Sequence, residues 1–491
     1  MLTLPESLKS FGIQEAVKTD LYIDGAWRAG SGGKRIDVLD PSTGKTIATV
    51  ADATVEDGIA AVKAAYEALQ AWAAMAPRQR GEILRKCWEL MMARSEMLAR
   101  LISLENGKAL PDARGEVAYA AEFFRWFSEE AVRLNGDFSI APSGNNKILV
   151  TQQPIGVAVL ITPWNFPAAM ATRKIGPALA AGCSIVLKPA TETPLTAFAM
   201  AALLEEAGVP RGVVNVVTTS SAGSVVSAML HDPRVRKLSF TGSTAVGRKL
   251  LKEAADQVIN CSMELGGNAP FVVFDDADLN KALDGAMLAK MRNGGEACTA
   301  ANRFYVQRGI AERFSRGLAD RMGQMAVGAG YDEGVACGPL INQTAVDRIA
   351  GLVKDAVAKG ATVLTGGAAG GGDGFYFPPT VLTGVTGDAE MVRDEIFGPI
   401  APISVFDTVD EVVALSNDSE YGLIAYVYTE DLKKGLQVAE RFEAGMVGLN
   451  RGLVSDPAAP FGGVKQSGLG REGAHHGILE FCETKYIAVS W

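Results

Sequence analysis

The chain has 491 residues, with 47 Lys+Arg against 56 Asp+Glu and a formal net charge of −9 at pH 7. At roughly 150 residues per domain, this length allows about three domains or two large ones, and buries a core without disulfides or metals. The acidic balance argues against general nucleic-acid binding, which needs a basic face, and 48% apolar with 21% charged residues is a globular composition.

His231, His475 and His476 leave little room for a histidine-based metal site, so no metal is expected. The cysteines are Cys87, Cys183, Cys261, Cys298, Cys337 and Cys482, and none forms a CxxC pair. Scattered cysteines in a long chain suggest reduced thiols and a cytoplasmic compartment. Residues 1–20 lack the apolar stretch of a signal peptide. No apolar run approaches the about 20 residues of a membrane span.

In chain order, residues 54–74 and 78–103 have helical spacing, and 110–135 is a third helical stretch rich in aromatics. After residue 145 short apolar runs alternate with helices. Strands are expected at 157–161, 184–187, 213–217 and 237–240, with helices at 168–181, 194–207 and 221–230. This alternation predicts βαβ units in a parallel, doubly wound sheet, which binds ligands at the carboxyl ends of its strands. A second α/β series follows, with strands at 270–274 and 303–306 and helices at 279–291 and 311–325. A domain boundary is therefore placed near Gly266–Gly267. Residues 366–374 read as a surface loop. Residues 485–489 form a lone terminal strand whose edge another subunit would cover, which predicts a homo-oligomer, dimer or tetramer.

Four segments carry chemistry. Thr162–Pro167 follows a strand, and the amide of Asn165 there can donate to an oxyanion. Phe240–Gly247 runs from a strand into a helix; Gly242 and Gly247 flank the turn and Ser243 suits a helix cap, where free N–H groups favour phosphate. Met263–Asn268 carries Glu264 before two glycines, a candidate general base if apolar neighbours raise its pKa. Asn293–Thr299 holds Cys298 among small residues, where a substrate can approach a thiolate. Each alone has an ordinary reading: a Pro-bounded loop, a capped helix, a solvated Glu, an inert buried Cys. Together they describe thiolate attack on a carbonyl, an oxyanion held by an amide, hydride transfer to a dinucleotide, and water activation by Glu264.

The motifs Pro163-Trp164-Asn165-Phe166, Lys188-Pro189-Ala190, Phe240-Thr241-Gly242-Ser243, Glu264-Leu265-Gly266-Gly267, Gly295-Glu296-Ala297-Cys298, Glu395-Ile396-Phe397-Gly398-Pro399 and Pro460-Phe461-Gly462-Gly463 resemble, in order, those of the aldehyde dehydrogenase superfamily. The resemblance covers almost the whole chain. It implies Cys298 as nucleophile, Glu264 as general base and Asn165 in the oxyanion hole. It also implies cofactor contacts from Trp164, Lys188, Thr191, Gly242, Ser243, Leu265, Glu395 and Phe397. The implied fold has a Rossmann-type cofactor domain (1–134 and 155–265), an α/β catalytic domain (266–473) and a β bridging element (135–154 and 474–491).

Within the superfamily, residues 165–174, 290–293 and 462–473 resemble succinate-semialdehyde dehydrogenases. That resemblance implies that Arg173, Arg292 and Ser455 bind the acid tail of the substrate. Two guanidinium groups suit a carboxylate because of their bidentate geometry. Related dehydrogenases for glutarate semialdehyde or an aromatic aldehyde are the alternative. Many NAD-preferring relatives carry a Glu where this chain has Thr191, and here Glu192 follows it. A neutral Thr191 removes repulsion of a 2′-phosphate and leaves Lys188 to pair with it, so acceptance of NADP as well as NAD is expected. Ala300 stands where some relatives have a second cysteine, so no local disulfide switch is expected. Arg451 either adds charge to the substrate loop or faces solvent. Glu264 argues for thioester hydrolysis over transfer to CoA, and the absence of a nearby His argues against a cysteine hydrolase.

Overall fold

The computed structural model describes Ile13 and residues 17–370 and 372–490. Most of the 1–20 stretch, and one residue of the 366–374 loop, lie outside these. The first sheet has a parallel centre in the spatial order Val214–Val216, Ser184–Lys188, Val157–Ile161, Val235–Thr241, Asn260–Glu264. Val157–Ile161 is buried at every position, which is why it reads as a continuous apolar run rather than an alternating one. The antiparallel pair Leu21–Ile23 and Ala26–Arg28 closes one edge, and Gly468–Leu469 pairs antiparallel with Asn260–Glu264 at the other. The chain therefore returns to this sheet long after leaving it.

The second sheet runs Thr362–Thr365, Thr380–Thr383, Ile400–Phe406, Ala301–Gln307, Ala269–Val273, Ile424–Tyr428, Met446–Leu449. It is parallel except at the outermost strand, Thr362–Thr365. The architecture is thus α/β, with two mainly parallel sheets meeting near Gly266–Gly267. One core gathers Trp72, Phe123, Phe124, Phe127 and Phe198, and another Phe271, Phe304, Phe314 and Tyr426.

The helix Pro167–Ala181 is buried along its whole length. Pro167 starts it, where a missing N–H costs nothing, and Gly182 at φ 102° ends it. Leu110–Glu130 packs along it. Two expectations change. The single helix over 78–103 is two, Pro77–Ala93 and Ser95–Asn106, broken at Arg94, whose guanidinium reaches Glu206 at 2.9 Å. No Gly or Pro marks this break, and the residue serves as the end of one helix and the start of the next. The terminal strand is longer than expected and is not alone. Cys482–Val489 pairs with Lys147–Pro154, which pairs with Asp137–Ile140, so its inner edge finds partners within the chain. It remains an edge strand of that three-stranded sheet. Among the described residues no helix is long and apolar enough to cross a membrane.

Candidate active site

The site is built at the carboxyl ends of the first sheet's parallel strands. Thr162–Phe166 follows Val157–Ile161, Lys188 ends its strand, Gly242–Ser243 follows Val235–Thr241, and Glu264 ends Asn260–Glu264. Ser243 caps the helix Thr244–Ala255 by accepting from the Val246 N–H at 3.4 Å. The second sheet's unit contributes the 292–298 loop and the 395–397 turn.

That loop is conformationally demanding. Asn293, Gly294 and Gly295 are consecutive left-handed residues, at φ 54°, 58° and 79°. A Cβ on Gly295 would lie 2.2 Å from the Gly398 carbonyl oxygen. A Cβ on Gly267 would lie 2.4 Å from the carbonyl oxygen of Cys298 itself. Only glycine admits such approach. Cys298 is half-buried, and burial pushes its thiol up to about 12; Arg173 and Arg292 oppose this, while Glu395 and Glu264 add to it. In the free protein the thiol is therefore protonated near neutrality.

Glu264 is 3% exposed, and neither carboxylate oxygen has a hydrogen-bond partner. Burial raises its pKa well above the ordinary carboxyl range, repulsion from Glu472 adds to the rise, and Arg173, Lys174 and Arg471 counter it. A base working near neutrality needs such a shift. Glu472 is held by Lys174 Nζ at 2.5 Å and by the Arg173 guanidinium. Arg173 is 1% exposed, lies 4.3 Å from the Phe461 ring centroid, and keeps Nη2 without a hydrogen-bond partner. Arg292 is more open. Its Nη2 donates to Thr299 Oγ1 at 3.4 Å and its guanidinium lies 5.0 Å from the Phe166 ring centroid.

Asn165 is buried, and its Nδ2 donates to the Glu296 carbonyl at 2.9 Å, which ties it to the cysteine loop. A pocket beside them is lined by Trp164, Asn165, Gly242, Ser243, Leu265, Cys298, Glu395 and Phe397 among others. Trp164 and Phe397 meet edge to face at 5.4 Å, and Phe397 holds φ 53°. Glu395 Oε1 accepts from the Gly267 N–H at 3.1 Å, and burial raises its carboxyl to about 7. A neighbouring cavity of about 420 Å³ shares Pro163, Trp164, Thr241, Gly242 and Ser243 with this pocket, so the two form one elongated cleft. Its apolar walls include Ile161, Val226, Val246 and Leu250, and the buried Lys188 lines it together with Thr191 and Glu192. A largely apolar slot with a cation in its lining, leading past a helix start to a thiol, fits a dinucleotide. Among the described residues no cluster of His, Cys, Asp or Glu is arranged to hold a metal ion.

The aldehyde dehydrogenase family model matches residues 27–487. The chain belongs to that family. It is 56% identical over 444 residues to a succinate-semialdehyde dehydrogenase of Paenarthrobacter nicotinovorans, covering 90% of this chain and 99% of that protein. It is 48% identical to a glutarate-semialdehyde dehydrogenase of Pseudomonas putida, covering 96% and 97%. The crystal structure of an E. coli NADP-dependent enzyme superposes with TM-score 0.95 at 47% identity, covering 97% of this chain and 98% of that one.

In this aldehyde dehydrogenase the fold gathers Asn165, Glu264, Cys298, Arg173 and Arg292 into one neighbourhood. Ser455 lies half-exposed in the 450–460 loop. Arg451 is exposed and turns back on its own loop, donating to the Leu453 carbonyl. The histidines stay away: His475 meets Glu130, and His231 meets Asp256. Sequence reading missed Lys108, Asp112, Glu116 and Asn293, which hold the two loops from beneath. Asp112 Oδ2 accepts from the Asn293 N–H at 2.8 Å. Local sequence does not signal this, because Lys108, Glu116 and Asp112 act on segments about 50 to 180 residues along the chain, and Asn293 also reaches back to Asn165.

Proposed function

We propose that this aldehyde dehydrogenase oxidises succinate semialdehyde to succinate with NADP or NAD. The observation that carries the substrate is the pair of guanidinium groups acting on Cys298, one of them buried with a nitrogen uncommitted. A buried guanidinium with a spare donor favours an anionic partner, and a carboxylate fits it. In this reading the thiolate form of Cys298, its proton lost to solvent, attacks the aldehyde carbon, and the free hydrogen of the Asn165 amide holds the resulting oxyanion. NAD(P), when bound in the cleft, would supply the hydride acceptor that oxidation of the thiohemiacetal requires. Glu264 then takes a proton from water as it attacks the thioester, releasing succinate and the thiol. Trp164, Leu265, Glu395 and Phe397 would hold the nicotinamide end, and Lys188, Thr191, Gly242 and Ser243 the rest.

A second reading is glutarate semialdehyde, one methylene longer. The Pseudomonas putida relative supports it, as does the looser hold on Arg292, which can follow a longer acid tail. Acceptance of NADP follows from the neutral Thr191, whose hydroxyl donates to Glu192 at 3.2 Å beside Lys188. We further infer a homodimer or homotetramer and a cytoplasmic setting. All six cysteines are free, which suits a reducing compartment. The division into cofactor (1–134, 155–265), catalytic (266–473) and bridging (135–154, 474–491) parts is supported by the three main sheets, with residues 468–469 as the crossing strand.

The test is an aldehyde panel with and without a terminal carboxylate, run with NAD and NADP on wild type and Arg292→Ala. Losing a charge-assisted hydrogen bond should raise KM for the acid aldehydes roughly tenfold to hundredfold, and much less for neutral ones. Equal losses on both classes defeat the carboxylate clamp. Rejection of NADP by the wild type defeats the cofactor reading.

A further inference from the structure

Beneath the oxyanion loop lies an ion pair shut off from solvent. The side chains of Lys108 and Glu116 are both 0% exposed, and Lys108 Nζ lies 2.5 Å from Glu116 Oε2. The ammonium also donates to the Asn165 carbonyl at 2.7 Å and sits 4.1 Å from the Phe166 ring centroid. Its three directions are thus spent on Glu116, Asn165 and Phe166. The other oxygen of Glu116 accepts from the Ala168 and Ala169 N–H groups at 2.8 and 3.3 Å, at the start of Pro167–Ala181. One ion pair therefore grips the loop at residue 165 and the helix that continues it. Asn106 Nδ2 adds a grip on the Trp164 carbonyl at 3.0 Å. Asn293 Nδ2 joins the Asn165 carbonyl, at 2.9 Å, to that of Glu296, at 3.1 Å.

Burying both charges costs several kcal/mol per ion before their attraction is counted, and an apolar pair of similar volume often serves stability as well or better. What an apolar pair cannot do is bond the Asn165 carbonyl and the helix N–H groups. We propose that the Lys108–Glu116 pair is a positioning device for the Asn165 amide, and that Lys108 acts on the rate through that amide. This rests on Asn165 being the oxyanion donor. Oxyanion stabilisation depends on placement, since a shift of about 1 Å can cost about a hundredfold in rate.

The experiment is a double-variant cycle of Lys108→Met and Asn165→Ala on the full-length enzyme. It reads kcat and KM for the aldehyde, cofactor affinity by fluorescence titration, and thermal midpoint. Lys108→Met is expected to lower kcat about tenfold to hundredfold, with KM and cofactor affinity near wild type. In the Asn165→Ala background it is expected to cost nothing further. A partly unfolded sample would lower kcat by the same factor in both backgrounds, so equal losses overturn the proposal. An unchanged kcat in Lys108→Met overturns it too. If Lys108→Met does not fold, Glu116→Gln enters the same cycle with the same expectations. If Asn165→Ala itself keeps wild-type kcat, the oxyanion assignment falls and this proposal with it. A slow Asn165→Ala beside a wild-type-like Lys108→Met removes only the role of Lys108.

Discussion

Arg173 does two things at once. It holds Glu472 in a buried pair, and it opposes the rise of the Cys298 thiol more than any other cation. In the proposed reaction Cys298 and Glu264 both act in their deprotonated forms, and burial holds both above their ordinary ranges. A raised pKa moves the ascending limb of a rate profile to higher pH. The expected outcome is therefore a kcat/KM that rises as pH is raised through and above neutrality. Arg173→Gln should move that climb to higher pH, because the main opposing charge is gone. A flat wild-type profile, or a limb that moves lower in the variant, would contradict this assignment of the two groups. The identities of Cys298, Glu264 and Asn165 could be read from local motifs, because each stands in a short stretch of distinctive chemistry. Their titration behaviour could not, because burial is set by residues far away in the chain.

The strand Val157–Ile161 falls on its expected residues because full burial leaves a clean apolar run. The helix Pro167–Ala181 was readable to within one residue because Pro167 and Gly182 punctuate it. The break at Arg94 was not, since no Gly or Pro marks it in the sequence. The glycines before Cys298 carry positional meaning of the same kind. Gly267→Ala would drive a methyl against the Cys298 carbonyl, at a cost of about 1–3 kcal/mol if the loop resists. The expected result is a lower thermal midpoint together with a fall in kcat of about a hundredfold, as the nucleophile shifts. Thermal melts and the rate of Cys298 alkylation measure the two effects. Wild-type values for both would mean that the loop is not held where the glycine places it.

At the scale of the whole molecule, the small sheet of Asp137–Ile140, Lys147–Pro154 and Cys482–Val489 leaves large apolar side chains in solvent. Phe138 is 63% exposed, Ile140 57%, Tyr486 58% and Ile487 43%. In the proposed homo-oligomer this apolar surface is the interface with another copy. Ile487→Asp should weaken assembly by roughly a hundredfold or more, because it buries an unpaired charge. Light scattering at micromolar concentration reads this as a fall in mass, and an unchanged mass would place the interface elsewhere. By itself the sequence determined the α/β class, the carboxyl-edge position of the site, and the nucleophile, base and oxyanion candidates. Each of these depends on apolar periodicity or on a short motif, which are local properties. The tertiary structure decided what depends on distance between remote residues. It set Lys108 under Asn165 and Arg173 on Glu472. It also paired the terminal strand with Lys147–Pro154. Buried charge acts through space and not along the chain, so only the folded molecule could show which carboxylates share a cation.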